Sequence, residues 1–119
     1  MNAQSLATET VVRRHLQAFL DGQGVDAIVA DYGEAAQFHT EAKIYDGKRE
    51  IRGFFEDFVD GLPAGATDRF ELRSMQVQQN LAYITWSVGS EIPLGTDTFV
   101  VDDGQIVAQT FAMYVPPAQ

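Results

Sequence analysis

A chain of 119 residues with 17 acidic against 8 basic side chains, a formal net charge of −9, is ill suited to nucleic acid and to anionic ligands. Its 45% hydrophobic content, with eight Phe, four Tyr and one Trp, is enough for one packed core, so residues 1–119 are read as a single domain. The lack of cysteine removes disulfides and thiolate chemistry; with no membrane-length apolar run and no secretory pattern at the start, a cytoplasmic protein with no membrane partner is expected.

From about Ser5 or Thr8 to Leu20, the residues Val12, His15, Leu16 and Phe19 follow the i, i+3, i+4, i+7 spacing of one buried helical stripe, and Gly22 and Gly24 stop it. A short second helix is predicted from about Asp26 to Tyr32, ended by Gly33. Ala36–Thr40 suits a strand whose alternation turns Phe38 and Thr40 inward and His39 outward, and Lys43-Ile44-Tyr45 suits a second before the turn at Asp46-Gly47. Ile51, Phe54, Phe55 and Phe58 predict a third amphipathic helix over Lys48–Asp60, closed by Gly61-Leu62-Pro63.

The remainder alternates apolar and polar residues. Strands are predicted at Arg69–Gln78, Leu81–Glu91, Gly95–Asp102 and Gln105–Val115, with turns at Gln79-Asn80, Ile92-Pro93-Leu94 and Asp103-Gly104. Helices first and an antiparallel meander after them make an α+β domain, with three helices packed on one face of a strongly curved, antiparallel or mixed sheet.

The last hairpin holds the most informative residue. If Asp103-Gly104 is a two-residue type I′ turn, Asp97 pairs with Thr110, and alternation puts Asp97, Phe99, Val101, Ile106, Ala108, Thr110, Ala112 and Tyr114 on one face. A carboxylate in that company loses hydration and must find a donor or hold its proton, as in many ligand pockets. The plainer reading, a structural acid bonded to Thr110 or to backbone, stays open. Ile84, Trp86 and Val88 share a face that builds core or walls a cavity. Tyr83, Thr85 and Ser87, with Val107, Phe111 and Met113, are expected on the opposite face, where an exposed Phe and Met would need cover from a second copy of the chain. His15 and His39 are far apart and show no His-x-x-x-His or Glu-x-x-His spacing, so no metal or cofactor is expected.

The element order resembles the cone-shaped nuclear-transport-factor-2-like superfamily, which includes ketosteroid isomerase and the SnoaL-like polyketide cyclases. Val11-Val12-Arg13-Arg14-His15, Asp26-Ala27-Ile28-Val29, Ala36–Thr40, Gly47 with Ile51-Arg52-Gly53-Phe54-Phe55, and Asp97-Thr98-Phe99 with Gly104-Gln105-Ile106-Val107 carry the likeness. It implies the fold and leaves the chemistry open, because this scaffold hosts several reactions as well as non-catalytic domains.

Compared with ketosteroid isomerase, the resemblance places Asp97 where that enzyme keeps a protonated oxyanion-binding acid, and His15 where it has the partnering tyrosine. Phe55 replaces a supporting tyrosine, and Thr40 takes the position of the proton-abstracting aspartate, so classical ketosteroid isomerisation is not expected. The implied function is binding of a small, mostly apolar, uncharged molecule. Asp97 and His15 would anchor it, with Tyr32, Phe38, Thr40, Phe55, Trp86, Phe99, Thr110, Ala112 and Tyr114 around it. A SnoaL-like cyclase, isomerase or hydratase with His15 and Asp97 as acid–base pair is the enzymatic alternative, and a protein-interaction scaffold is the third. A homodimer through the outer sheet face is expected from the superfamily.

Overall fold

The stripe at Val12, Leu16 and Phe19 belongs to helix α1 (Ala3–Leu20), which starts at Asn2, whose side chain accepts the Ser5 backbone N–H at 2.8 Å. The computed structural model describes residues 2–117. Helix α2 (Val25–Val29) is shorter than predicted and does not reach Tyr32. Tyr32 instead opens strand β1 (Tyr32–His39), because the Asp31 carbonyl accepts the Ile106 N–H at 2.8 Å and begins a parallel ladder with the last strand. Strand β2 (Ile44–Asp46) returns antiparallel to β1, and helix α3 (Lys48–Asp60) has the predicted bounds. It buries Ile51 and Phe55 fully and Phe54 and Phe58 in part.

A turn of 3-10 helix at Thr67–Arg69 leads into β3 (Phe70–Gln78), β4 (Leu81–Val88), β5 (Ile92–Asp102) and β6 (Gln105–Tyr114). The turn predicted at Ile92-Pro93-Leu94 lies inside β5. The reversal falls earlier, at Gly89-Ser90-Glu91, where Gly89 adopts a φ of +50° and Ile92 can pair with Val88.

The strands form one open mixed sheet in the order β2-β1-β6-β5-β4-β3, in which only β1 and β6 run parallel. Helix α1 packs on β3, β4 and β5, α3 packs on β1 and β2, and α2 fills the gap between the two helices. Register shifts in the β1–β6, β3–β4, β4–β5 and β5–β6 ladders bend the sheet around the helices, as bulges do. The core sits in the cone so formed, where Val12, Tyr32, Phe38, Ile51, Ile84, Phe99 and Ile106 are almost wholly buried.

One of these bulges decides which side chains enter the cone. Asp103 and Gly104, with φ of +51° and +75°, make the predicted turn, and Asp102 faces Gln105 and Val101 faces Ile106 as the pattern requires. Val100 then faces Ala108, so Val107 is the extra residue, and beyond it Asp97 pairs with Phe111 rather than Thr110. A slip of one residue exchanges the faces of everything that follows. Gln109, Phe111 and Met113 therefore join Asp97 and Phe99 inside, while Thr110, Ala112 and Tyr114, expected in the pocket, lie on the outer face. The need to cover Phe111 and Met113 from outside disappears with this correction.

Candidate functional site

Asp97 is only 7% exposed, and its place is set by the neighbouring strand. Trp86 on β4 lies opposite Gly95 on β5, and a Cβ added to Gly95 would sit 2.2 Å from the indole Cε2. Glycine is thus what lets the indole lie across β5. Two residues along the same face, the indole Nε1 donates to Asp97 Oδ2 at 2.7 Å. The ring is held between Phe70 and Phe111, stacked with centroids 5.6 and 6.3 Å away.

The other carboxyl oxygen belongs to a longer chain of bonds. Gln109 Nε2 donates to Asp97 Oδ1 at 2.7 Å, and the Tyr32 hydroxyl donates to Gln109 Oε1. The same hydroxyl lies 3.4 Å from His15 Nε2, while His15 Nδ1 faces the Ile28 carbonyl at 3.2 Å. Asp31 comes within 3.9 Å of Nδ1 and is itself bound by Arg14 at 2.7 Å. His15 and Asp97 therefore do not pair directly. Gln109 and Tyr32 stand between them.

Burial shapes the titration of both ends. Desolvation pushes the Asp97 carboxyl up from 3.8 to about 7, against the pull of the Trp86 and Gln109 donors. Desolvation also pushes His15 down from 6.5 to about 4, outweighing the charge of Asp31 and the Ile28 carbonyl. Tyr32 is raised well above 10.0 by burial and by the carboxylates of Asp97 and Asp31. Near neutral pH the imidazole is uncharged, and since a carbonyl cannot donate, its hydrogen lies on Nδ1 toward Ile28. Replacing Trp86 with phenylalanine keeps the ring stack and removes one donor, so the Asp97 carboxyl should titrate above 7. A carboxyl 13C titration that leaves its midpoint unmoved would deny Trp86 this part.

His15, Asp97 and Gln109 are the polar groups lining a cavity of about 60 Å³ whose other walls are apolar. Phe38, Phe55, Trp86 and Phe99 line it, and aromatic rings make up much of its wall. Tyr32 is wholly buried behind this wall and reaches the cavity only through Gln109 and His15. Thr40 stands apart from it: its hydroxyl closes the turn to Lys43, accepting the Ala42 and Lys43 N–H groups at 3.2 Å and donating to the Lys43 carbonyl at 3.0 Å. Also in the cavity lining, Phe54 and Phe58 stack at 5.5 Å and 15°, with Phe111 and Phe19 against them, all half-buried.

Sequence reasoning missed Gln109, Gly95 and Phe111 as parts of the site. A signal existed for Gln109 and Phe111: both share the phase of Met113, and the apolar pair Phe111 and Met113 is out of phase with Ile106, a break that marks a bulge. Nothing local marks Gly95, whose role depends on the strand beside it. Among the described residues no group of three or more His, Cys, Asp or Glu side chains is placed to hold a metal ion, and no helix is long and apolar enough to cross a membrane.

The profile of the SnoaL-like domain matches residues 12–109. No curated protein matches the chain. Among solved structures, an NTF-2 like protein of unknown function from Burkholderia xenovorans LB400 is 20% identical, with a TM-score of 0.77 over 99% of this chain and 91% of that one. An NTF2-like protein of unknown function from Mesorhizobium loti is 18% identical, with a TM-score of 0.76 over 96% of both chains. A de novo designed protein with a curved β-sheet reaches a TM-score of 0.76 at 16% identity, covering 96% of this chain and 88% of its own. Likeness at these identities establishes the cone-shaped fold.

Proposed function

Because the chain belongs to the SnoaL-like domain family, we propose that it binds a small, mostly apolar, uncharged molecule in the cone, with a carbonyl or hydroxyl of that molecule meeting Asp97 and His15. The observation that carries this reading is a buried carboxyl, with a buried imidazole, at the wall of a mostly apolar cavity. An ionised ligand would have to give up its hydration to enter, and a carboxylate would also meet Asp97.

Size sharpens the expectation. The cavity volume of about 60 Å³ is well short of the roughly 150 Å³ that holds a benzene ring. A ring-sized ligand must therefore displace some of the lining rings, of which Phe19, Phe54, Phe58, Phe70 and Phe111 are half-buried. Titrating cyclic ketones, phenols and matched carboxylates while following the fluorescence of Trp86, the single tryptophan, tests the reading. Neutral carbonyl and hydroxyl compounds should quench or shift the emission and the carboxylates should not. If no neutral compound alters the emission up to its solubility, or if carboxylates bind best, the reading fails.

One observation favours catalysis as a second reading. Burial has reversed the usual order of the two groups, holding the carboxyl near 7 and the imidazole near 4. Between these values Asp97 is the acid and His15 the base, an arrangement suited to a cyclase, isomerase or hydratase. If Asp97→Asn keeps ligand affinity within a few-fold but abolishes turnover of a cyclic ketone or epoxide panel, the site is catalytic. Absence of turnover in the parent protein leaves binding as its function.

A further inference from the structure

The chain of bonds from Asp97 to His15 is one hydrogen short. Tyr32 has one hydroxyl hydrogen and two acceptors beside it, Gln109 Oε1 and His15 Nε2 at 3.4 Å. While Tyr32 serves Gln109, the imidazole lone pair has no donor in the chain. The shortage ends if the Gln109 amide turns over, exchanging its oxygen and nitrogen within the same space. Its nitrogen then donates to Tyr32, Tyr32 donates to His15, and the amide oxygen, now facing Asp97 Oδ1 across a 2.7 Å contact, requires a hydrogen from Asp97.

We propose that Gln109 and Tyr32 are positioning residues that join Asp97 and His15 into one unit with room for a single added proton, so that protonation of Asp97 turns the Tyr32 hydroxyl from Gln109 to His15. The proton comes from solvent and bonds to Asp97 Oδ1; no other bond forms or breaks, and the remaining hydrogens only change partner. The unit rests on Asp97 and His15 being the polar end of the binding site, and it adds a selectivity. A ligand carbonyl that accepts the Asp97 hydrogen releases Gln109 to turn back, draws the Tyr32 hydroxyl away from the imidazole and leaves His15 Nε2 as a free acceptor. The ligands that arm His15 are thus neutral carbonyl compounds.

Few other charges surround the unit. Helix α1 brings Arg14 and His15, the entry to β1 brings Asp31, β1 brings Tyr32, and β5 brings Asp97. The residues that α3, β4 and β6 turn to the cavity, among them Phe55, Trp86 and Gln109, carry no titratable group. Asp31 faces Nδ1 and is bound by Arg14, whereas Asp97 is the carboxyl joined to His15 Nε2 through Gln109 and Tyr32.

Side-chain NMR of the ligand-free full chain tests this apart from any ligand, so its failure and that of the binding reading are separable. In a His39→Gln background, which leaves His15 as the one histidine, the Nε2 resonance of the neutral imidazole should move by several ppm at the midpoint of the Asp97 carboxyl titration. That step should vanish in Tyr32→Phe and, separately, in Gln109→Met, while Asp97 still titrates in both. The proposal is overturned if His15 shows no step in the parent protein, or if the step survives in either variant, since the field of Asp97 alone would then account for it. Should one variant not fold, the other decides.

Discussion

Replacing Asp97 with asparagine stabilises the protein at about pH 8 by roughly 2–4 kcal/mol and changes little near pH 4. The folded carboxyl is held near 7, against 3.8 for an unperturbed one. Between those values the unfolded chain has released this proton and the folded chain still holds it, so unfolding expels a proton and stability falls as pH rises. The contribution is fully present below about pH 4 and lost by the time pH has passed through 7. About three pH units at 1.36 kcal/mol each gives an effect on the order of 4 kcal/mol, an upper figure because the denatured chain also adjusts. Asparagine cannot ionise, yet it fits the same bonds: its oxygen accepts from Trp86, and its amide donates to Gln109 once that side chain turns over. Urea unfolding of both proteins across this range measures the difference. A variant weaker than the parent by the same amount at every pH would mean that Asp97 holds the fold as a charge and not as a protonated acid.

Gly95→Ala should cost about 3 kcal/mol, roughly 10–15 °C in melting temperature. The new methyl meets Cε2, Cζ2 and Cδ2 of Trp86 at 2.2, 2.3 and 2.6 Å, too close for any small adjustment. The indole must leave the surface of β5, and with it go the bond to Asp97 and the stacks on Phe70 and Phe111. A buried carboxyl deprived of a donor adds its own penalty. Thermal unfolding followed by Trp86 emission reports both the loss and the displaced ring. A double-mutant cycle identifies the cause: with Trp86→Leu the alanine has room, and its cost should fall below about 1 kcal/mol. An equal cost in both backgrounds would assign the glycine to backbone conformation instead.

How far the site was legible follows the range of the forces involved. The third helix was read with its bounds because the spacing of Ile51, Phe54, Phe55 and Phe58 is a local pattern that packing only reinforces. The end of α2 was not, since Tyr32 is claimed by a ladder with Ile106, 74 residues later in the chain. Asp97 and Phe99 were placed on the inner face by alternation alone. Thr110, Ala112 and Tyr114 were placed there by the same rule and lie outside, because Val107 bulges and inverts the phase beyond it. Thr40 failed for a related reason: the strand ends at His39, and its hydroxyl closes a turn.

By itself, then, the amino-acid order determined an α+β domain with its helices on one face of a sheet, a tight turn at Asp103-Gly104 and an inward-facing acid six residues before it, all set by periodicities of two or 3.6 residues and by turn chemistry. Only the tertiary structure decided what that acid touches. Trp86 reaches Asp97 because a glycine on the next strand makes room, and Gln109 reaches it because a bulge turns that side chain inward. Both depend on steric fit and hydrogen bonding between strands, and such terms leave no periodic trace in any one segment. The separation of His15 from Asp97 by Tyr32 and Gln109 has the same origin, since four elements must pack together before the distance between the two groups exists.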